Sequence, residues 1–411
     1  MIALQATIKR YTTRRIVLLL LSVTILTLST LSLSARRLHI LSSHFIPSSQ
    51  AFSSISKMSY DKELRIAYLA VQRASLLTQK VFQEKSKGTL SKDDKSPVTI
   101  GDFGAQALII QAIKHNFPKD EIVGEEEASS LRDNKTLSSQ VWVFVRETKL
   151  SDKTANLELG GGLESEEQML QAIDAGNSAG GAKGRIWALD PIDGTKGFLR
   201  GGQYAVCLAL IEDGDVKVGV LGCPNLPRDD SAPITADVGG PGDDDMSRGV
   251  IFAAAVGQGA SSQSLRLPPL SSMEIPKIHM RNISLKNAIF CESVEAEHSA
   301  HGDQADIAKK LGITNPSVRM DSQAKYASIA RGAADLYLRL PVRADYEEKI
   351  WDHAAGDLIV REAGGWVTDM NGKRLDFSQG RTLAKNKGVV AAPKIIHDAV
   401  LQAVQSVLEA K

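Results

Sequence analysis

From Ser59 onward the apolar positions recur at helical spacing. Leu64, Ala67, Tyr68, Val71, Ala74 and the small Ser75 fall on one stripe, which predicts an amphipathic helix from about Asp61 to Gln83. A polar loop through Lys92-Asp93-Asp94-Lys95-Ser96-Pro97 follows. Thr99-Ile100-Gly101-Asp102 then opens a second helix, Ala105 to Asn116, which Pro118 stops. Glu121 to Glu127 reads as a short extended segment running into a charged turn. Residues 128–163 are polar and Gly-containing apart from one apolar burst at Val141 to Val145, a composition that predicts a variable surface excursion.

The centre of the chain changes period. Arg185 to Leu189 predicts a buried strand, Asp190 to Lys196 a turn, and Tyr204 to Ile211 another strand. Asp213-Gly214 is a hairpin signal, with Val216 to Val220 as its return strand. Pro224 to Gly249, rich in Pro, Gly and Asp, predicts a solvated insertion. Beyond it Ala288 to Cys291, Val318 to Met320 and Ala334 to Leu340 are strand candidates, whereas Asp303 to Leu311 and Ser322 to Arg331 carry helical patterns. Asp352 to Ala363 predicts a further helix ended by Gly364-Gly365. Mixed helices and strands with many antiparallel links place the chain in the α and β class with layered sheets.

The 411 residues, 43% hydrophobic and 24% charged, suffice for one large two-lobed unit or two ordinary domains and exclude disordered and fibrous classes. The net charge of +1 conceals an asymmetry, because residues 1–60 carry seven basic residues and no acidic one. Removing those seven from the 49 basic residues leaves 42 against 48 acidic, a net of −6 from Asp61 onward. That balance argues against a nucleic-acid polymer as partner, since such binding needs clustered Lys and Arg. Cys207, Cys223 and Cys291 are odd in number and never in a CxxC pair, so they suggest neither a disulfide framework nor a zinc site.

The N-terminal stretch stands apart. Between Arg15 and Arg36 lie twenty uncharged residues, thirteen of them apolar, a length that just spans a bilayer as a helix. The same region, Arg-rich, Ser-rich and free of Asp and Glu, also fits a cleaved targeting peptide. A third reading makes it an upstream extension that the functional part, beginning near Met58, does without. The expected organisation is therefore an extension over 1–57, with residues 16–35 as a membrane or targeting segment, ahead of one two-lobed unit or two domains. Asn134 and Asn282 head Asn-x-Ser/Thr sequons that matter only if the catalytic part is lumenal.

Candidate chemistry sits on acids at the ends of elements. In Asp190-Pro191-Ile192-Asp193-Gly194-Thr195, Pro191 keeps Asp190 extended and Gly194 permits a tight turn, so both carboxylates can converge. The Gly194 and Thr195 N–H groups form an anion nest if a helix follows. Two such acids suit a hard cation such as Mg2+, which takes oxygen ligands and keeps waters and a phosphate oxygen. Asp-Gly is equally a common turn signal, and Glu125 to Glu127 is equally a solvated acidic run. Asp352, after Trp351, is either a metal ligand at a helix start or an N-cap. His353 lacks a partner at ligand spacing. His298 and His301 lie three apart but without a Cys or Glu-rich frame for zinc.

Taken as an ordered set, Gly124-Glu125-Glu126, Asp190-Pro-Ile-Asp-Gly-Thr195 and Trp351-Asp352 resemble the signature of the lithium-sensitive inositol monophosphatase superfamily. Within it, the runs Ser96 to Gln106, Leu189 to Arg200, Asp321 to Tyr326 and Lys349 to Gly356 are similar to the fungal 3′(2′),5′-bisphosphate nucleotidases. The resemblance covers Met58 nearly to the end. It implies a layered α-β-α-β-α sandwich of the sugar-phosphatase type, with a metal-binding lobe over 58–276 and a nucleotide-binding lobe over 277–411. It implies Mg2+ held by Glu125, Asp190, Asp193, Asp352 and the Ile192 carbonyl, with Asp102 and Thr195 as the catalytic pair. Gly194, Thr195, His298, Ser322, Lys325, Arg339 and Asp352 would contact substrate, with His301 as a substitute for His298 because the stretch to Ser322 is one residue long. The implied reaction is hydrolysis of the 3′-phosphate of adenosine 3′,5′-bisphosphate to AMP and phosphate. The resemblance also implies the 3′-phosphorylated sulfate donor as a second substrate, a role in sulfate assimilation, and inhibition by lithium and sodium. A cytoplasmic or mitochondrial monomer, with membrane contact through residues 16–35, completes the expectation. The rivals are an inositol phosphate phosphatase of the same superfamily and a catalytically silent, membrane-tethered ion or nucleotide sensor.

Overall fold

Two helices open the molecule. The computed structural model describes residues 59–86, 96–229, 247–267, 276–295, 300–343 and 345–410. Helix α1 spans Asp61–Ser86 and α2 spans Ser96–Asn116. The second helix starts earlier than the Ala105 expected, and Thr99 to Asp102 lie inside it. Pro97 in its first turn forfeits only an N–H that a helix start leaves unpaired, and its ring already holds a helical φ. Strand β1, Glu121–Gly124, follows.

Residues 128–163 are not the surface excursion that their polarity suggested. They form α3 (Ser129–Asp133), α4 (Lys135–Glu147) and α5 (Lys153–Glu158), with α6 (Glu166–Asp174) close behind. Val141 and Val145, one turn apart on α4, are buried with Leu131 in the same cluster as Ala107 and Leu108 of α2. The apolar burst is thus the inner stripe of a helix. Several polar residues that resembled loop are caps: Asn134 accepts from Leu137 N–H, Asp152 from Thr154 N–H and Ser165 from Gln168 N–H.

A six-stranded sheet comes next. Strand β2 (Arg185–Asp193) leads into the short helix α7 (Thr195–Arg200), then into β3 (Ala205–Glu212), β4 (Asp215–Pro227), β5 (Arg248–Ala255) and β6 (Ala260–Ser264). The strands run in order β1 to β6, with β1 parallel to β2 and every later pair antiparallel. Asp213 and Gly214 both have positive φ, as the tight turn between β3 and β4 requires. The remaining elements are β7 (Phe290–Glu292), α8 (His301–Leu311), β8 (Val318–Arg319), α9 (Ala324–Ala330), β9 (Leu336–Arg339), α10 (Ala354–Glu362), β10 (Gly365–Thr368), β11 (Val389–Pro393) and α11 (His397–Glu409). Their strands build a second sheet in the order β10-β11-β9-β7-β8.

Strand alternation sorts the side chains into layers. Trp187, Leu189, Leu208, Leu210, Val218 and Val220 pack on α1 and α2. From the opposite face Ile186, Ala188, Cys207 and Ala209 meet α9, α10 and the inner face of the second sheet, through Tyr337, Val389 and Ala391. The outer face of that sheet, with Phe290, Leu336, Leu338 and Val390, packs on α8 and α11 through Ile307 and Val400. The order is helices, sheet, helices, sheet, helices. The middle layer is tight because its strand residues are small. A Cβ on Gly219 of β4 would lie 2.7 Å from the Ala355 carbonyl oxygen of α10.

The described residues from Ser59 onward group as one compact unit. The segment 16–35 lies outside the described residues, and no described helix is long and apolar enough to cross a membrane.

Candidate active site

The expected turn at Asp190 is instead the end of β2. Pairing of β2 with β3 shifts between Asp190 and Asp193, where three steps on β2 match two on β3, from Cys207 to Ala205. In a regular strand, residues three apart face opposite sides; one extra residue in a bulge turns both acids to the same side. Asp190, Asp193 and Asp352 then each offer an oxygen within 4.8 Å of one another. Gly194, with φ +89°, turns the chain into α7, and a Cβ there would sit 2.9 Å from the Cβ of Ser322. Ser322 itself has φ +68°, a strained value for a residue with a side chain. Strain thus collects where the β2–α7 turn meets the start of α9, and Asp193 accepts from the Gln323 N–H at 2.5 Å there.

The acids converge on a cleft of about 290 Å³, lined among others by Glu125, Asp190, Ile192, Asp193, Gly194, Thr195, Ser322, Lys325, Arg339 and Asp352. Every expected metal ligand therefore faces one space. Asp352 lies in a 3-10 turn, Ile350–Asp352, and the cap position of α10 belongs to His353. Trp351 is buried behind Asp352 in the core between the sheets. Asp102 does not line the cleft. It is buried on α2, and one turn further along, Gln106 holds the acidic loop, accepting from the Glu126 N–H at 3.0 Å and donating to the Glu126 carbonyl at 2.7 Å.

Burial and mutual repulsion raise the proton affinity of these acids. Asp190 and Asp352 are pushed well above the usual carboxylate range, first by burial and then by neighbouring carboxylates. Asp102 is likewise raised, by burial and by Glu126 and Glu125. Glu125 opens to the cleft, yet the protein packed around it and Glu126 push it up to about 7. Asp193 is raised by burial, with Lys325 pulling the other way. Buried oxygens Asp190 Oδ1 and Asp102 Oδ1 meet no hydrogen-bond donor among the described residues. Uncompensated buried carboxylate is costly. A hard divalent cation relieves both the repulsion and the missing partners, so the donor set fits such an ion.

Opposite the acids stands a cationic wall. Lys325 is buried, with its ammonium 5.3 Å over the Tyr337 ring; burial lowers its pKa and Asp193 opposes that. Arg339 Nε donates to Glu348 Oε1 at 2.8 Å. The other Glu348 oxygen lies 3.2 Å from His353 Nε2, and His353 Nδ1 lies 2.8 Å from the Tyr326 hydroxyl. Both ring nitrogens of His353 are thereby engaged within the fold, which leaves neither for a metal.

Of the expected substrate residues, His298 lies outside the described residues. His301, its substitute, sits at the start of α8 with Nε2 3.1 Å from the Ser293 carbonyl and does not line the cleft. Sequence reasoning missed Asp321, Gln323, Tyr326, Tyr337 and Tyr346 on the cleft wall. Asp321 to Tyr326 had been visible as a run, but no spacing showed which members face inward. Tyr337 carried no signal beyond a strand pattern.

The inositol monophosphatase family profile matches residues 152–409. Together with the fold and the acid-lined cleft, this match shows that the chain belongs to the inositol monophosphatase family. Its curated relatives are narrower in kind. A 3′(2′),5′-bisphosphate nucleotidase of Emericella nidulans is 66% identical over 356 residues, covering 86% of this chain and 100% of that protein. The nucleotidase of Schizosaccharomyces pombe is 52% identical, covering 85% of this chain and 97% of its own, and that of Oryza sativa is 42% identical, covering 85% and 95%. Among solved structures, an inositol monophosphatase from Zymomonas mobilis aligns with a TM-score of 0.52 at 18% identity, over 85% of this chain and 100% of that one, which shows the shared fold.

Proposed function

We propose that this chain is a Mg2+-dependent phosphomonoesterase that removes the 3′-phosphate of adenosine 3′,5′-bisphosphate, giving AMP and phosphate, and acts likewise on the 3′-phosphorylated sulfate donor. The observation that carries this is one cleft in which a carboxylate cluster faces two inward cations, Lys325 and Arg339. A substrate with two phosphates suits such a division, one beside the acids and one on the cations. The 66% identity to a nucleotidase supports the nucleotide as substrate.

Glu125, Asp190, Asp193, Asp352 and the Ile192 carbonyl would hold Mg2+. When bound, the ion supplies charge neutralisation on the scissile phosphate and acidifies the attacking water. Thr195, at the head of α7 and open to the cleft, orients that water through its hydroxyl. Asp102, buried on α2 behind the cleft, takes up the proton by way of the Thr195 hydroxyl. The Arg339 guanidinium, held by Glu348, offers a planar fork to the phosphate that stays, and Lys325 a point charge. The metal acids come from both halves of the chain, Asp352 from the second, so the lobe over 277–411 contributes to the metal site besides holding the nucleotide. Lithium and sodium inhibit by competing for a Mg2+ position, and the enzyme serves sulfate assimilation.

Phosphate release by the purified protein, with adenosine 3′,5′-bisphosphate or inositol 1-phosphate as substrate and Mg2+ with or without lithium, tests this. Strong preference for the nucleotide, lost on adding lithium, is expected. Preference for inositol phosphate would overturn the substrate assignment, and release from neither would overturn the activity.

A further inference from the structure

Glu125 and Asp352 reach the cleft from segments far apart in sequence, one just past β1 and the other just before α10. Arg381, in the segment between β10 and β11, touches both. Its Nη2 donates to the Gly124 carbonyl at 2.6 Å and its Nη1 to the Ser178 carbonyl at 3.0 Å. The centre of the guanidinium lies 4.8 Å over the Trp351 ring, and the Arg381 carbonyl accepts from the Ile350 N–H at 3.2 Å. One residue thus joins the peptide preceding Glu125 to the ring preceding Asp352. The approach is close enough to need glycine, since a Cβ on Gly180 would lie 2.9 Å from the Gly380 carbonyl oxygen. On the far side of Glu125, Gln106 already clamps the Glu126 peptide. The loop is therefore held at both flanks, and only the Arg381 flank ties it to the Asp352 segment among the contacts described.

We propose that Arg381 is a positioning residue that sets the spacing between the Glu125 and Asp352 carboxylates and thereby the affinity of the cleft for a divalent cation. The proposal rests on the reading of the cleft as a Mg2+ site. Positioning and charge predict opposite outcomes for its removal. A positive side chain near the acids repels a cation, so deleting the charge alone tightens metal binding. Losing the fork and the stacked contact lets the two carboxylates drift and weakens it, in the way outer partners of metal ligands do. Arg is suited to this task and Lys is not, because the planar fork reaches two carbonyls while the flat face stacks on an indole.

Calorimetric titration of Mg2+ into the full chain without substrate, for wild type, Arg381→Met and Arg381→Lys, decides between them. The metal-free melting temperature reports the fold of each. Arg381→Met is expected to raise the Mg2+ dissociation constant about tenfold. It should also raise the Mg2+ concentration for half-maximal activity in parallel, with kcat at saturating Mg2+ near wild type. Arg381→Lys, which keeps the charge but loses the planar fork, should be weakened too. Equal or tighter Mg2+ binding by Arg381→Met overturns the proposal. If that variant does not fold, wild-type affinity in Arg381→Lys overturns it. A wild type that takes up no Mg2+ overturns the metal reading of the cleft itself and the proposal with it.

Discussion

Asp193 carries more of the cleft than any other acid. It faces Asp190 and Asp352, feels Lys325 and Arg339, and accepts from the Gln323 N–H. Asn in its place keeps an oxygen for that N–H and removes one charge from a crowded group. Asp193→Asn should therefore lose on the order of 10³-fold in turnover while its melting temperature holds or rises. A phosphate-release assay beside calorimetry checks both, and a fully active variant would refute the metal assignment. Lys325 makes a separate case. Met fills a similar volume without charge, so Lys325→Met should stay folded and raise KM for the bisphosphate about tenfold, leaving KM for a single-phosphate substrate much less changed. Equal effects on the two substrates would remove Lys325 from the binding of the second phosphate.

At the scale of elements, the site depends on how closely α10 lies against the first sheet. Gly219 on β4 admits the Ala355 carbonyl, and Gly356 on the same helix admits the Tyr326 ring. The helix carries Asp352 at its approach, so its seat on the sheet sets where that carboxylate stands. Gly219→Ala has to push backbone rather than a flexible side chain. It should destabilise the protein by about 1–3 kcal/mol and lower kcat as well, because Asp352 moves with α10. Denaturant unfolding and steady-state kinetics measure the two effects. Wild-type stability would show that the helix adjusts freely and that the packing argument is wrong. The bulge in β2 belongs to this scale too, since a strand without the extra residue would send Asp190 and Asp193 to opposite faces.

For the whole molecule, the acid cluster couples folding to pH and metal. Glu125 rises from 4.5 to about 7 in the folded, metal-free protein, so between those values the folded state holds a proton that the unfolded chain has released. Stability of the metal-free protein then falls as pH climbs through that window. Asp190 and Asp352, also raised, act in the same sense. Glu348, held down to about 2 by His353 and Arg339 against the opposing effect of its burial, adds stability that is lost only below the ordinary glutamate range, and does not offset the trend. Mg2+ competes with those protons, so its stabilising effect should be larger at pH 8 than at pH 5.5. Melting curves with and without Mg2+ at the two values test this. An equal shift at both would mean that the cation binds away from these carboxylates.

Local pattern determined a great deal about this protein. Strand and helix periods placed β2, β3, the Asp213-Gly214 hairpin and α1 within a few residues, and the acidic motifs named Glu125, Asp190, Asp193 and Asp352 but not Asp321 among the carboxylates that face the cleft. Those features are local because alternation, capping and turn chemistry act over a handful of neighbouring residues. The same reasoning misread residues 128–163, where polar caps and short helices resemble a loop until α2 supplies the apolar surface that buries Val141 and Val145. It also read a turn at Asp190 where a bulged strand runs on, because a bulge is defined by the partner strand and not by the strand itself. Tertiary structure alone decided that Asp352 meets Asp190 and Asp193, that Glu348 holds Arg339, and that Arg381 ties the Glu125 loop to Trp351. The first and last of these join segments far apart in sequence, and even the Arg339–Glu348 pair closes a loop that no local pattern specifies; nothing in the order of the chain records which surfaces come to rest against each other.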